Sequence, residues 1–254
     1  MPDNNCIPWF ENWFDSPYYH ILYKHRNYKE AELFIDHLID FIQPETNAKF
    51  LDLGCGKGRH SVYLYKKGYD VTGVDLSPEN IAYASQFVPK NVNPQDENLR
   101  FYVNDMRKIE CKKEFDYVVN LFTSFGYFEN DADDNATIMA VNKALKPEGT
   151  FVMDFMNAKK VIANLVLHEI KIIDDIEFEI TKSIENNFIV KHIRFSDKGT
   201  QYNFQERVKA LTLDDFRKYF AANKLKIVHL FGNYNLEKFD AETSNRLIIV
   251  AKKE

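Results

Sequence analysis

The 254-residue sequence predicts an α/β protein: a doubly wound, mostly parallel sheet of seven strands, with an antiparallel β-meander inserted after the fifth strand. Three observations lead there. Five short apolar runs alternate with helical stretches from Lys49 onward. A period-two pattern begins after Met156. Two further apolar runs then close the chain.

The N-terminal stretch stands apart in composition. Trp9, Phe10, Trp13, Phe14, Tyr18, Tyr19 and Tyr23 crowd together, and both tryptophans of the chain are here. Such a stripe reads either as a helix docking its aromatic face on the core or as a flap that closes over a ligand and lends it one or two tyrosines. Residues 1–45 are therefore set apart as an aromatic helical segment, and residues 46–254 as the main domain.

The five runs are KFLDLGC from Lys49, YDVTGVD from Tyr69, LRFYVND from Leu99, FDYVVNL from Phe115 and TFVMDFM from Thr150. Their nearly unbroken apolar character suits strands covered on both faces. Gly68 ends the helix after the first run. Ser77, Pro78 and Glu79 supply an N-cap, a first-turn proline and an acid that favours the helix dipole. Lys90 to Asn98 reads as a polar linker. Asp131, Asp133 and Asp134 open another helix, with Ile138, Val141 and Leu145 three and four apart; Pro147-Glu148-Gly149 is expected to stop it.

Beyond Met156, Ile176, Phe178 and Ile180 alternate with Glu177, Glu179 and Thr181, a strand with one wet face. Asn186-Asn187 and Asp197-Lys198-Gly199 read as turns. Tyr202, Phe204 and Val208 share a face opposite Asn203, Gln205 and Arg207. The meander is thus expected over about residues 169–211, beside the carboxyl edge of the main sheet. There it would either wall a substrate pocket or form the interface of a homodimer. Thr212 and Asp215 start a last helix, and Leu225–Phe231 and Arg246–Ala251 complete the main sheet.

Composition narrows the function. Hydrophobic residues make up 45% and charged residues 28%, which excludes a disordered or collagen-like chain. A net charge of −5 argues against a duplex nucleic-acid binder. Cys6, Cys55 and Cys111 form no disulfide framework and carry no CxxC pair, so a reducing, cytoplasmic setting is expected and no zinc site. The sequence MPDNNCIPWF has no signal-peptide pattern, and no run approaches 18 apolar residues, so no membrane partner is expected.

The informative segment is LDLGCGKGRHS, from Leu51 to Ser61, at a strand end and a helix start. Gly54, Gly56 and Gly58 allow a tight turn and close approach of a ligand to bare backbone, with Cys55 contributing main chain only. Asp75 ends the next strand, where a carboxylate can accept both hydroxyls of a ribose. Asp105 ends the third. A nucleoside-like ligand across the sheet's carboxyl edge follows. A dinucleotide fingerprint needs glycine where Arg59 stands, and a phosphate-binding loop needs Ser or Thr where Gly58 stands. Asp52 would crowd a pyrophosphate but suits a positive amino group. S-Adenosyl-L-methionine carries that group, a ribose and an adenine, and no phosphate.

The run DLGCGKG resembles the first motif of class I S-adenosylmethionine-dependent methyltransferases, and the segment from Lys49 to Met156 follows that family's motif order. The resemblance implies a Rossmann-like domain. It also implies that Asp52, Gly54, Cys55, Gly56 and Gly58 form the cofactor loop, and that Asp75 with Leu76 grips the ribose. Asp105 and Met106 would border the adenine, and Asn120, Leu121 and Phe122 would line the methyl-donor end. The aromatic N-terminus, from which Tyr23 is assigned to the cofactor site, and the strand insert resemble bacterial small-molecule methyltransferases, including relatives of glycine N-methyltransferase. The expected activity is methyl transfer to a small molecule, leaving S-adenosyl-L-homocysteine. A non-catalytic cofactor-binding dimer and an RNA methyltransferase are the alternatives, although Asn120-Leu121-Phe122-Thr123 lacks the Asn-Pro-Pro-Tyr pattern of base-methylating enzymes. His20 and His60 are candidate bases, Tyr18, Tyr19 and Tyr127 candidate orienting hydroxyls, and no catalytic residue is assigned.

Overall fold

The computed structural model describes residues 8–24, 28–90 and 98–254. Cys6 and nearly all of the polar linker from Lys90 to Asn98 lie outside the described residues.

Two short helices, α1 (Trp9–Phe14) and α2 (Pro17–Leu22), precede the longer α3 (Tyr28–Ile42). The alternating region then runs β1 (Lys49–Leu53), α4 (Arg59–Lys66), β2 (Asp70–Asp75), α5 (Pro78–Ala84), β3 (Leu99–Val103), β4 (Phe115–Asn120), α6 (Asp131–Ala144) and β5 (Leu145–Met156). Ser77 caps α5 as its residue type requires, its hydroxyl accepting the Asn80 amide at 3.0 Å. After α7 (Ala158–Ala163) come β6 (His168–Ile173), β7 (Ile176–Glu185), β8 (Phe188–Asp197) and β9 (Thr200–Lys209), and α8 (Leu213–Ala222), β10 (Leu225–Phe231) and β11 (Arg246–Lys253) finish the chain.

Seven strands form the main sheet in the order β10-β11-β5-β4-β1-β2-β3. All run parallel except β11, which lies antiparallel to both neighbours. Successive residues of one strand go to opposite layers. Leu51, Val118, Phe151 and Met153 pack on the side of α6 and α8, whereas Phe50, Val119, Val152 and Val250 pack on the side of α3, α4 and α5. That two-sided burial is why these strands read as unbroken apolar runs.

One boundary differs from expectation. Helix α6 stops at Ala144, and Leu145 already pairs with Phe115. Pro147-Glu148-Gly149 therefore lies inside β5, where Glu148 takes φ +60° and the register shifts between Phe115 and Tyr117. A bulge absorbs these residues rather than a helix stop.

Strands β6 to β9 make a second, antiparallel sheet. Its three hairpins turn on Asp174-Asp175, Asn186-Asn187 and Lys198-Gly199, each a pair of residues with positive φ, as two-residue hairpins demand. Lys209 moors this sheet to the main domain, its ammonium bridging Asp131 (2.7 Å) and the buried Asp134 (2.6 Å) on α6.

The aromatic N-terminus docks elsewhere than on the main core. Trp13 and Leu22 are buried against Ile176, Phe178, Ile180 and Ile193, so α1 and α2 cover the second sheet. The reason lies in Glu206 on β9, which accepts hydrogen bonds from the Trp13 indole (2.7 Å), the Tyr23 hydroxyl (2.7 Å) and Lys191 (2.7 Å). Burial alone would raise the Glu206 pKa, but the Lys191 charge and these donors hold it below the usual range.

Candidate active site

In an open α/β sheet, ligands bind where the strand order reverses, outside the carboxyl ends. Here the reversal lies between β1 and β4. The loop after β1 returns onto β2, with the Gly54 and Cys55 amides donating to the Val74 carbonyl at 2.8 and 3.0 Å. Its Gly56 amide donates to one oxygen of Asp75 (2.9 Å), and the Ser77 amide donates to the other (2.9 Å). Burial raises the Asp75 pKa, while these two amides pull it back. The carboxylate is thus held in one orientation between two loops.

A cavity of about 520 Å³ opens over this edge. Gly54, Cys55, Gly56, Asp75, Leu76, Asp105, Met106, Leu121, Phe122 and Tyr23 all border it. A β-carbon added to Gly56 (φ +54°) would meet nothing within 4 Å, so this glycine faces open space. The Cys55 thiol is buried, which pushes its pKa well up, and only its backbone is available for chemistry. Burial works to raise Asp105 too, but the Arg107 guanidinium, at 3.0 and 2.6 Å, holds it below the carboxylate norm.

Three of the expected cofactor residues do not border the cavity. Asp52 is buried under the loop and accepts the Ser61 hydroxyl at 2.6 Å, its pKa raised by burial to about 6. Gly58 turns toward the core instead of the cavity, where an added β-carbon would lie 2.8 Å from Phe101. Asn120 is buried too, its amide donating to the carbonyls of Leu53 (2.9 Å) and Ser124 (3.3 Å). All three brace the loops from behind.

Three residues the sequence did not single out, Asp154, Tyr234 and Arg246, hold Phe122 and its neighbour in place. Phe122 and Thr123 take φ +57° and +63°, a conformation costly for side chains of this size. Asp154, fully buried on β5, holds them there: its carboxylate accepts the Phe122 amide (2.8 Å) and its carbonyl the Thr123 amide (3.0 Å). Arg246 at the start of β11 bridges Asp154 (2.8 Å) and the Thr123 hydroxyl (2.9 Å), and Tyr234 stacks on Phe122 at 4.9 Å. An acid inside the apolar run VMDFM was the sequence signal for this device.

The candidate bases are both in the wall and both neutral near pH 7. Burial pushes His20 down to about 4, and burial followed by the Arg59 charge lowers His60 as well. Tyr19 and Tyr127 also border the cavity, whereas the Tyr18 hydroxyl points away and donates to Asp197 (2.8 Å). Among the described residues no cluster of His, Cys, Asp or Glu could hold a metal ion.

A second cavity, of about 810 Å³, lies between this edge, α7 and the second sheet. Five aromatic residues, Phe14, Tyr19, Tyr23, Phe122 and Tyr127, line both cavities. The sheet edge therefore carries two compartments with one aromatic partition. The meander is one wall of the larger, through Lys182, Ile189, Lys191, Glu206 and Val208.

Comparison with known proteins agrees with this geometry. Residues 44–212 match the family described as a methyltransferase domain. A putative methyltransferase from Bacillus subtilis (strain 168), YqeM, is 36% identical over 114 residues, so the match spans 44% of this chain and 44% of that relative. Among solved structures, an S-adenosylmethionine-dependent methyltransferase from Clostridium acetobutylicum superposes with a TM-score of 0.76 at 21% identity, covering 95% of this chain and 98% of that one. The S-adenosylmethionine-bound amino pentose methyltransferase CalS10 of Micromonospora echinaspora, involved in calicheamicin biosynthesis, gives 0.70 at 19% identity, covering 94% and 98%.

The residues present fit that family's cofactor: a fixed carboxylate beside bare glycine backbone, no phosphate cradle, and an aromatic wall that suits a sulfonium. The chain belongs to the methyltransferase-domain family, with the class I fold of S-adenosylmethionine-dependent enzymes.

Proposed function

We propose that this protein transfers a methyl group from S-adenosyl-L-methionine to a small molecule held in the larger cavity, leaving S-adenosyl-L-homocysteine in the smaller one. The observation that carries the reading is the aromatic partition common to the two compartments. The bound cofactor supplies an electrophilic methyl on a positively charged sulfur. The chain's own part is alignment. Asp75 and the Gly56 backbone fix the nucleoside end, Met106 and Leu121 wall it, and Phe122 is held at its amide by Asp154 and at its ring by Tyr234. Rings around a cation contribute about 0.5–2 kcal/mol. Holding two reactants in attack geometry supplies about 7–11 kcal/mol of the barrier, so a dedicated base is not required when the acceptor is a neutral amine.

A small acceptor is favoured over RNA by the size of the second cavity, about 810 Å³, and by the acidic balance of the chain. CalS10, whose described substrate is an amino pentose, is an example of that acceptor class on the same fold. The free thiols of Cys55 and Cys111 fit a cytoplasmic setting, and no helix among the described residues is long and apolar enough to cross a membrane. The test is a mass-spectrometric screen with methyl-labelled cofactor over a panel of small amines, hydroxy compounds and carboxylates, with bulk tRNA in parallel. Label is expected in one small-molecule group and absent from tRNA. Label in tRNA alone would overturn the reading.

A further inference from the structure

Strand β6 is an edge of the second sheet and, among the described residues, pairs only with β7. The Lys182 amide donates to the Leu167 carbonyl (2.8 Å), which fixes the phase of the ladder. By antiparallel alternation, the main-chain groups of Glu169, Lys171 and Ile173 turn toward β7, and those of His168, Ile170 and Ile172 turn toward the open edge. The side chains there are apolar and wet: Ile170 is 54% and Ile172 71% exposed, with Leu167 at 66% just before the strand. The strand contains no proline, and its register with β7 has no bulge. An edge left in this state is a template for another strand.

We propose that this edge pairs with β6 of a second copy of the chain, antiparallel about a two-fold axis at Ile170, so that the two four-stranded sheets become one of eight. Charge selects the register. An axis at Ile170 sets Glu169 against the partner subunit's Lys171 and Lys171 against the partner subunit's Glu169. An axis at Glu169 or Lys171 would instead oppose like charges, which is destabilising across a strand pair. The same axis brings Ile170 onto the partner's Ile170 and lets the outward-facing groups of His168, Ile170 and Ile172 form about six main-chain hydrogen bonds. The two charge pairs fall at the sites without main-chain bonds, where cross-strand side chains come closest. Within one chain Glu169 already meets Lys182 (2.6 Å) and Lys171 (3.4 Å), so the dimer closes a larger ionic network. A closed two-fold contact of this kind uses one patch twice and leaves no further edge at β6.

The inference does not depend on the proposed activity, and its test uses the full chain without any ligand. Light scattering behind size-exclusion chromatography is expected to give about twice the chain mass of 29.9 kDa at tens of micromolar protein. Ile170→Lys should raise the dimer dissociation constant at least tenfold, with S-adenosylhomocysteine affinity unchanged; Ile172→Lys is a second variant at a still more exposed site. Glu169→Lys and Lys171→Glu should each weaken the dimer, and the double exchange Glu169→Lys/Lys171→Glu should restore it. A monomeric wild type overturns the proposal, as does a dimer indifferent to both isoleucine variants, and a double exchange that fails to restore association overturns the register.

Discussion

At the scale of single residues, two glycines of one loop are expected to separate cofactor binding from folding. Gly56 has φ +54° and empty space where a β-carbon would go; Gly58 has φ +77° and Phe101 at 2.8 Å. Gly56→Ala should cost about 1–2 kcal/mol of stability from the left-handed backbone alone, yet weaken S-adenosylhomocysteine binding at least tenfold. Gly58→Ala adds overpacking against a buried ring, a further 1–3 kcal/mol or so, and should lower the unfolding midpoint more than it lowers affinity. Thermal melts and binding isotherms on both variants check this; equal effects on both readouts would contradict it. The type and spacing of these glycines were legible in the sequence, as were Asp75 and Asp105 at strand ends. The direction of each side chain was not. Asp52 and Asn120 read as ligand contacts, but their strands turn them inward, onto Ser61 and onto the Leu53 carbonyl. Only the assembled sheet decides which face of a strand end meets the cavity.

Among the elements, the alternation of strands and helices was readable because burial on both faces leaves its mark in every strand. The hairpin at Asn186-Asn187 declared itself through residues that tolerate positive φ; Asp174-Asp175 does the same work but passed unnoticed among other acids. The docking of α1 and α2 was less legible, since an aromatic stripe says that a helix is buried and not against what. A polar latch decides it. Glu206, with its side chain 13% exposed, gathers Trp13, Tyr23 and Lys191 and pins the helices to the second sheet. Glu206→Ala leaves Lys191 without its carboxylate in a largely buried place, at a cost of about 3 kcal/mol. Hydrogen exchange should accelerate over α1 and α2 while β1 and β4 stay protected, because their burial is independent of the latch. Uniform acceleration across the molecule, or none, would contradict this assignment.

Over the whole molecule, the main sheet supplies a rigid edge, and the inserted sheet with the N-terminal helices supplies the roof and partition. Phe14, Tyr19 and Tyr23 come from the roof, Phe122 and Tyr127 from the loop after β4, so neither part alone encloses both compartments. The buried pair of Asp154 and Arg246 joins β5, β11 and that loop. This division of labour explains why the glycine loop is explicit in the sequence whereas the wall of the larger cavity is not: one is a local turn, the other is assembled from segments spread between Trp9 and Arg246. The carboxyl edge is proposed to take an adenosyl thioether through Asp75. Isothermal titration of S-adenosylhomocysteine, run at two temperatures so that a vanishing enthalpy cannot hide binding, tests it most directly. One site per chain of roughly micromolar affinity is expected, weakened tenfold or more, about 1.4 kcal/mol, by Asp75→Asn. A folded protein that gives no isotherm at either temperature, or an Asp75→Asn variant that binds as tightly as the wild type, would contradict it.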